Sequence, residues 1–231
     1  MSKGGKALLK AFILIIVLIA ATKSDAAAKT FVVSKKIDVS EGRILTMQFN
    51  GLKSSDTEPG GYSSIKIYEG KNKLLQTINI ADVNSFGDDT TTCPDPGTGS
   101  DIIIEDMDFD GIKDFRIIAM LPPGPNIPYI CFLWDKKSGK FIHAEFLDDI
   151  TSPVFDSKKK TITSESRDNA STYSKEVYKY TGGKPLLIEE VVTEYKELKD
   201  ANGKLRTYEI KTTKKLIDGK MKVIKVEKSA T

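Results

Sequence analysis

Asp106-Met107-Asp108-Phe109-Asp110-Gly111-Ile112-Lys113-Asp114 places aspartates at positions 1, 3, 5 and 9 of a loop, with glycine at position 6. This spacing wraps a chain around a hard cation. Alternate carboxylates turn inward, and glycine permits the sharp bend that brings the position-7 carbonyl, here Ile112, toward the ion. Oxygen-only ligands suit Ca²⁺. The flanks are Ile102-Ile103-Ile104 and Phe115-Arg116-Ile117-Ile118, β-branched and aromatic runs that read as strands. Position 12 is Ile117, where an EF-hand would have its bidentate glutamate. The motif is therefore a strand-loop-strand, and it sets the expectation of an antiparallel β fold.

The rest of the chain agrees with that expectation. Short alternating runs separated by turn signals extend from Thr30 to Lys228, and helical periodicity is hard to find. Glu69-Gly70-Lys71-Asn72, Lys137-Ser138-Gly139 and Gly182-Gly183 read as hairpin turns. The segment Phe141–Phe146 reads as a strand, and Asp148-Asp149 as a solvated turn. After Lys199-Asp200-Ala201-Asn202-Gly203 the flavour changes to two lysine-rich alternating segments, Lys204–Ile217 and Met221–Lys228, joined by Asp218-Gly219. These predict a β-hairpin extension over 199–231, its lysines reading as a soluble edge that resists aggregation.

The N-terminus predicts export. Lys3, Lys6 and Lys10 precede an apolar run of 11 residues, Ala11–Ala21, and the small residues Ser24, Ala26, Ala27 and Ala28 follow. That is the pattern of a cleavable secretory leader over 1–28, too short for a spanning helix of about 20 apolar residues. Without it, Lys29 to Thr231 holds 31 basic and 31 acidic residues. A net charge of zero gives no pull toward nucleic acid or an acidic membrane surface, so the expectation is no membrane role beyond export. In an oxidising compartment the two cysteines, Cys93 and Cys131, predict a disulfide. It would enclose the aspartate loop and contribute about 4 kcal/mol by the chain-entropy argument.

The run from about Thr92 to Val191 resembles a family of exported bacterial proteins. The matching residues are Asp106, Asp108, Asp110, Gly111 and Asp114, then Cys131, Trp134, Asp135, Gly139 and Phe141. Phe155, Asp156, Ile162, Ser164, Arg167 and Asp168 continue the match, and Tyr178, Tyr180, Gly182, Gly183 and Lys184 close it. The family includes periplasmic immunity proteins that neutralise lysozyme-like effectors of type IV secretion systems, and it is similar in fold to the type-i lysozyme inhibitors. The resemblance implies a compact, propeller-like all-β domain over 29–198, a calcium site and inhibition of a peptidoglycan hydrolase.

Type-i inhibitors present a Ser-Gly-x-x-Tyr loop to the enzyme cleft. The nearest equivalent here is Ala170-Ser171-Thr172-Tyr173, without the glycine and the full spacing, with Arg167 upstream. An inhibitory loop of Arg167, Ser171 and Tyr173 and a plain hairpin connection both fit this segment. No catalytic set is visible. There is one histidine, His143, in a strand-like context, and adjacent Asp148 and Asp149 lack the separation that glycoside hydrolysis needs. Two functions remain open. One is a periplasmic, non-enzymatic inhibitor with a lysozyme-like glycoside hydrolase as partner and Ca²⁺ as structural ion. The other is a calcium-stabilised structural or adhesive module of the envelope.

Overall fold

The alternating runs form strands, and nearly all of them pair with their sequence neighbours. The computed structural model describes residues 28–231 apart from 56, 57, 88 and 97. The expected leader, but for Ala28, lies outside the described residues. Strands β1 (Lys29–Asp38), β2 (Ile44–Lys53), β3 (Gly60–Glu69) and β4 (Lys73–Asn79) make one antiparallel meander. A second meander contains β5 (Ile102–Glu105), β6 (Asp114–Ile118), β7 (Tyr129–Asp135) and β8 (Lys140–His143). The third sheet has six strands: β9 (Val154–Asp156), β10 (Thr161–Asn169), β11 (Thr172–Thr181), β12 (Lys184–Lys199), β13 (Leu205–Ile217) and β14 (Lys220–Ala230). No helix among the described residues is long and apolar enough to cross a membrane.

The middle sheet holds the layers together because both of its faces are covered. All five residues of β6 are buried, the charged Asp114 and Arg116 as well as Phe115, Ile117 and Ile118. Phe115, Ile117, Ile130, Phe132, Trp134 and Phe141 pack on one side against Leu45, Met47, Phe49, Ile65 and Ile67 of the first sheet. Phe115 is the hinge of this core, stacked on Phe132 at 4.7 Å and edge-on to Phe141 at 4.9 Å and Phe49 at 5.8 Å. On the other side Cys131 joins Met107, Phe109, Leu147, Ile150 and Ile162. The first two sheets are also joined through Gln76. Its amide donates to the Phe141 carbonyl at 2.7 Å and accepts from the Phe141 N–H at 2.9 Å, taking the place of a missing strand.

The turns obey simple backbone rules. Asp218 and Gly219 both have positive φ, 54° and 74°, as a two-residue turn matching the strand twist requires. Gly51 permits a close approach of another kind, since a Cβ there would lie 2.3 Å from the Phe31 ring.

Four expectations are corrected. The fold is all-β, but the described residues form no propeller and no closed barrel. A propeller repeats four-stranded blades around an axis, whereas here two four-stranded meanders pack with a six-stranded sheet whose last strands run beyond both cores. The segment Phe141–Phe146 is a strand only to His143, after which α1 (Glu145–Asp148) turns the chain. Asp148 is buried there and its Oδ2 lies 2.7 Å from His143 Nε2, so it is no solvated turn.

The fourth correction is the disulfide, since Cys93 and Cys131 are both free, buried thiols. The middle sheet separates them. Cys131 points from β7 into the second core, whereas Cys93 belongs to the first. Cys93 exchanges backbone hydrogen bonds with Gly60, and its thiol donates to the Tyr62 hydroxyl at 3.3 Å. That hydroxyl in turn donates to Asp101 at 3.1 Å. Burial pushes the Cys93 thiol up to about 11 and raises Cys131 further, so neither is a ready nucleophile. Unfolded without reductant, the protein is expected to release two thiols per chain to a colorimetric reagent, and the native protein almost none. Zero thiols after unfolding would restore the disulfide.

Candidate functional site

The aspartate loop lies between β5 and β6, and its last residue does the positioning. Asp114 is 1% exposed. Its Oδ2 accepts from the Met107 N–H at 2.8 Å and its Oδ1 from the Trp134 N–H at 2.9 Å. One carboxylate thus ties the start of the loop to the neighbouring strand β7. Burial raises its pKa to about 7, with the charges of Asp108 and Asp106 adding to the effect and the two N–H donors opposing it. The loop then curls on itself. The Asp110 N–H is shared between Asp106 and Asp108 at 3.1 Å each, and the Gly111 N–H reaches Asp106 at 3.0 Å.

Phe109 and Gly111 take φ values of 62° and 90°. For phenylalanine this is an uncommon, strained conformation. It is held by the ring, which packs in the second core against Tyr180 and Phe155 at 6.0 and 6.4 Å.

Asp106, Asp108 and Asp114 each offer an oxygen, all within 4.8 Å of one another. Calcium binds oxygen at 2.3–2.6 Å, so oxygens on opposite sides of one ion stand about 5 Å apart, and the three fit around such an ion. Burial raises Asp108, with the charges of Asp110 and Asp106 contributing, so the cluster holds anionic charge that a cation would relieve. Asp110, the fourth expected ligand, is outside this trio and pairs with Lys136 at 2.9 Å. Lys136 gave no sequence signal, because a β7–β8 turn lysine looks like any solvated charge. Ile112 packs against the first core, and its N–H donates to Asp110 at 2.8 Å.

The second expected site, Arg167, Ser171 and Tyr173, is the tip of the β10–β11 hairpin. Arg167 lies opposite Tyr173 in the ladder, and a bulge accommodates Asp168. The polar atoms at the turn are used internally. Arg167 Nε donates to the Asn169 carbonyl at 3.0 Å, and the Ser171 hydroxyl donates to Asn169 Oδ1 at 3.1 Å. Tyr173 projects from the sheet, with the Arg167 guanidinium 5.3 Å from its ring and Tyr195 edge-on at 6.2 Å. Beside it runs a groove of about 390 Å³ lined by Lys175, Val191, Thr193 and Lys211. Asn126, in the proline-rich loop, clamps the Arg167 backbone, accepting from its N–H at 2.9 Å and donating to its carbonyl at 3.0 Å. Neither Tyr195 nor Asn126 was legible as a partner of this hairpin, because both contacts are distant in sequence.

Removing Asp114 orphans two buried N–H groups, each at a cost of about 1–3 kcal/mol. Urea unfolding in chelator is expected to show Asp114→Ala destabilised by about 2–5 kcal/mol. Asp106→Ala, at the exposed side of the loop, should lose clearly less. Equal losses would remove the structural role assigned to Asp114.

No protein-family profile matches this chain, and no curated protein matches it. Among solved structures it is similar to a Xanthomonas type IV secretion system related protein, at 16% identity and a TM-score of 0.55, over 84% of this chain and 93% of that one. A protein of unknown function from Bacteroides fragilis aligns at 11% identity over 82% of this chain and 94% of that one, and its TM-score of 0.26 supports no argument. The likeness to the Xanthomonas protein is one of fold.

Proposed function

We propose that this chain is an envelope protein that binds and blocks a lysozyme-like peptidoglycan hydrolase, with a structural Ca²⁺ in the Asp106–Asp114 loop. The observation behind this reading is the fold shared with a type IV secretion system related protein. It coincides with a sequence resemblance to immunity proteins that oppose lysozyme-like effectors of such systems. In this reading the chain acts by binding.

In this reading the ion is held by Asp106, Asp108 and Asp114, with the Ile112 carbonyl as a further oxygen, and it neutralises the loop without taking part in chemistry. Contact with the hydrolase runs through Tyr173. Its ring buries a large flat surface at low entropic cost, and its hydroxyl can donate to a cleft carboxylate. Arg167, stacked on the ring, adds positive charge. Ser171 holds the turn in shape through Asn169.

Calcium at 100 times its Kd would stabilise the folded state by about 2.7 kcal/mol, so the melting temperature is expected to rise between chelator and millimolar Ca²⁺. Asp108→Asn should abolish the rise, and identical melts of the wild type in both conditions would eliminate the site.

For the inhibitor reading, a lysozyme-like effector encoded beside this chain should lose peptidoglycan-hydrolase activity when the wild type is added. Tyr173→Ala is expected to weaken binding by about 2 kcal/mol, roughly 30-fold. If the wild type neither binds nor inhibits, the structural or adhesive module becomes the better account.

A further inference from the structure

The zero net charge of the chain from Lys29 hides a strong separation. Residues 199–231 hold ten basic and four acidic side chains, a formal +6, which leaves −6 for residues 29–198. The positive part is β13 and β14, and neither core cluster includes a residue from these strands. β14 is the outermost strand of its sheet, and almost all of its residues are exposed.

A bulge gives this ribbon two unlike faces. Thr213 pairs with Lys225 but Lys214 pairs with Val223, so Ile224 is the extra residue. Val223 and Val226, three apart, would face opposite ways on a regular strand. The bulge returns them to one face, opposite Lys214 and Thr212 of β13. Alternation along β13 and β14 adds Ile210, Leu216 and Met221 to that face. Lys222, Lys225 and Glu227 share the other. Val223 and Val226 are 57% and 60% exposed, and Ile224 is 47% exposed. At the margin of the aliphatic face the Lys228 ammonium sits over the Tyr208 ring at 4.0 Å. Several lysines have acidic neighbours. Lys222 meets Asp218 at 3.0 Å, Lys225 meets Glu227 at 2.8 Å, and Lys214 and Lys215 meet Glu190 and Glu189 at 2.6 and 3.1 Å. The Lys222 and Lys225 pairs are exposed, and such pairs are weak and exchange readily with other anions, whereas Lys214–Glu190 is half-buried.

A soluble edge needs the lysines but not the aliphatic face. We propose that the β13–β14 ribbon docks on an anionic lipid bilayer, with Val223, Val226 and their neighbours entering the headgroup region and the lysines held to the lipid phosphates. The chemistry is that of an interfacial amphipathic element. Apolar burial and attraction to anionic lipid add, and a surface lysine contributes about 1 kcal/mol. An exposed aliphatic face, with Lys228 at its margin and Lys222 and Lys225 on the face behind it, favours a bilayer over a soluble polyanion, which would use the charges alone.

The test is co-sedimentation of the processed chain from Lys29, its fold verified by a cooperative melt, with phosphatidylcholine vesicles containing or lacking about 25% phosphatidylglycerol. Partition onto the anionic vesicles is expected to be at least tenfold stronger than onto neutral ones and to weaken in high salt. The variant Val223→Ser with Val226→Ser should bind at least fivefold less at unchanged charge. Replacing Lys222, Lys225 and Lys228 by Gln should lower binding at least tenfold. Equal partition onto both vesicles, or no partition, overturns the proposal. So does a serine variant that binds like the wild type, or wild-type binding to soluble polyphosphate that matches binding to the vesicles, since either would reduce the effect to attraction for any polyanion.

Discussion

The Asp114 carboxylate is the point on which the layers converge. It closes β6 at one end, accepts from the loop at Met107 and accepts from β7 at Trp134. Met107 and Trp134 belong to different cores, so one buried carboxyl group fixes the distance between loop, middle sheet and both apolar layers. A carboxylate in such a place is costly, and its two N–H donors offset only part of the cost, which is why its pKa stays raised to about 7. What remains is the negative charge itself, shared with Asp106 and Asp108 a few ångströms away. The loop is therefore a structural joint whose residual charge suits a cation.

Much of this was legible in the sequence, for physical reasons that differ by element. The aspartate loop could be read as a turn between strands because its chemistry is local, but only Asp106, Asp108 and Asp114 come together there, and Asp110 pairs with Lys136. Many strands followed from alternation, and the turns read at 69–72, 137–139 and 182–183 do join antiparallel neighbours. What could not be read was long-range. The propeller expectation came from resemblance and failed because the size of the third sheet depends on how far β12 to β14 run past the core. The disulfide expectation used cysteine number and compartment, neither of which says which face of β7 Cys131 occupies. Asp148 was read as solvated because its neighbour Asp149 looked alike, yet helix α1 turns Asp148 inward to His143.

The hairpin at Ser171 shows a similar limit. A tip sequence rich in hydroxyls and amides suggests groups offered to a partner, but the same groups also satisfy a tight turn. In this fold the turn takes them, and the aromatic surface on the sheet remains outward. Tyr173 and Tyr195 come from strands whose pairing places them on one face, and the arginine stacked there is held through its own backbone by Asn126.

Gln76 and Asn126 both use a side-chain amide to imitate a peptide unit, each donating and accepting along a strand that lacks a neighbour there. Such a joint depends on the amide remaining an amide. Hydrolysis to a carboxylate would set a negative acceptor against the Phe141 or Arg167 carbonyl and leave that carbonyl without its donor. The seam between the first two sheets and the support of the hairpin would then weaken through a chemical change at two side chains, with neither apolar core altered.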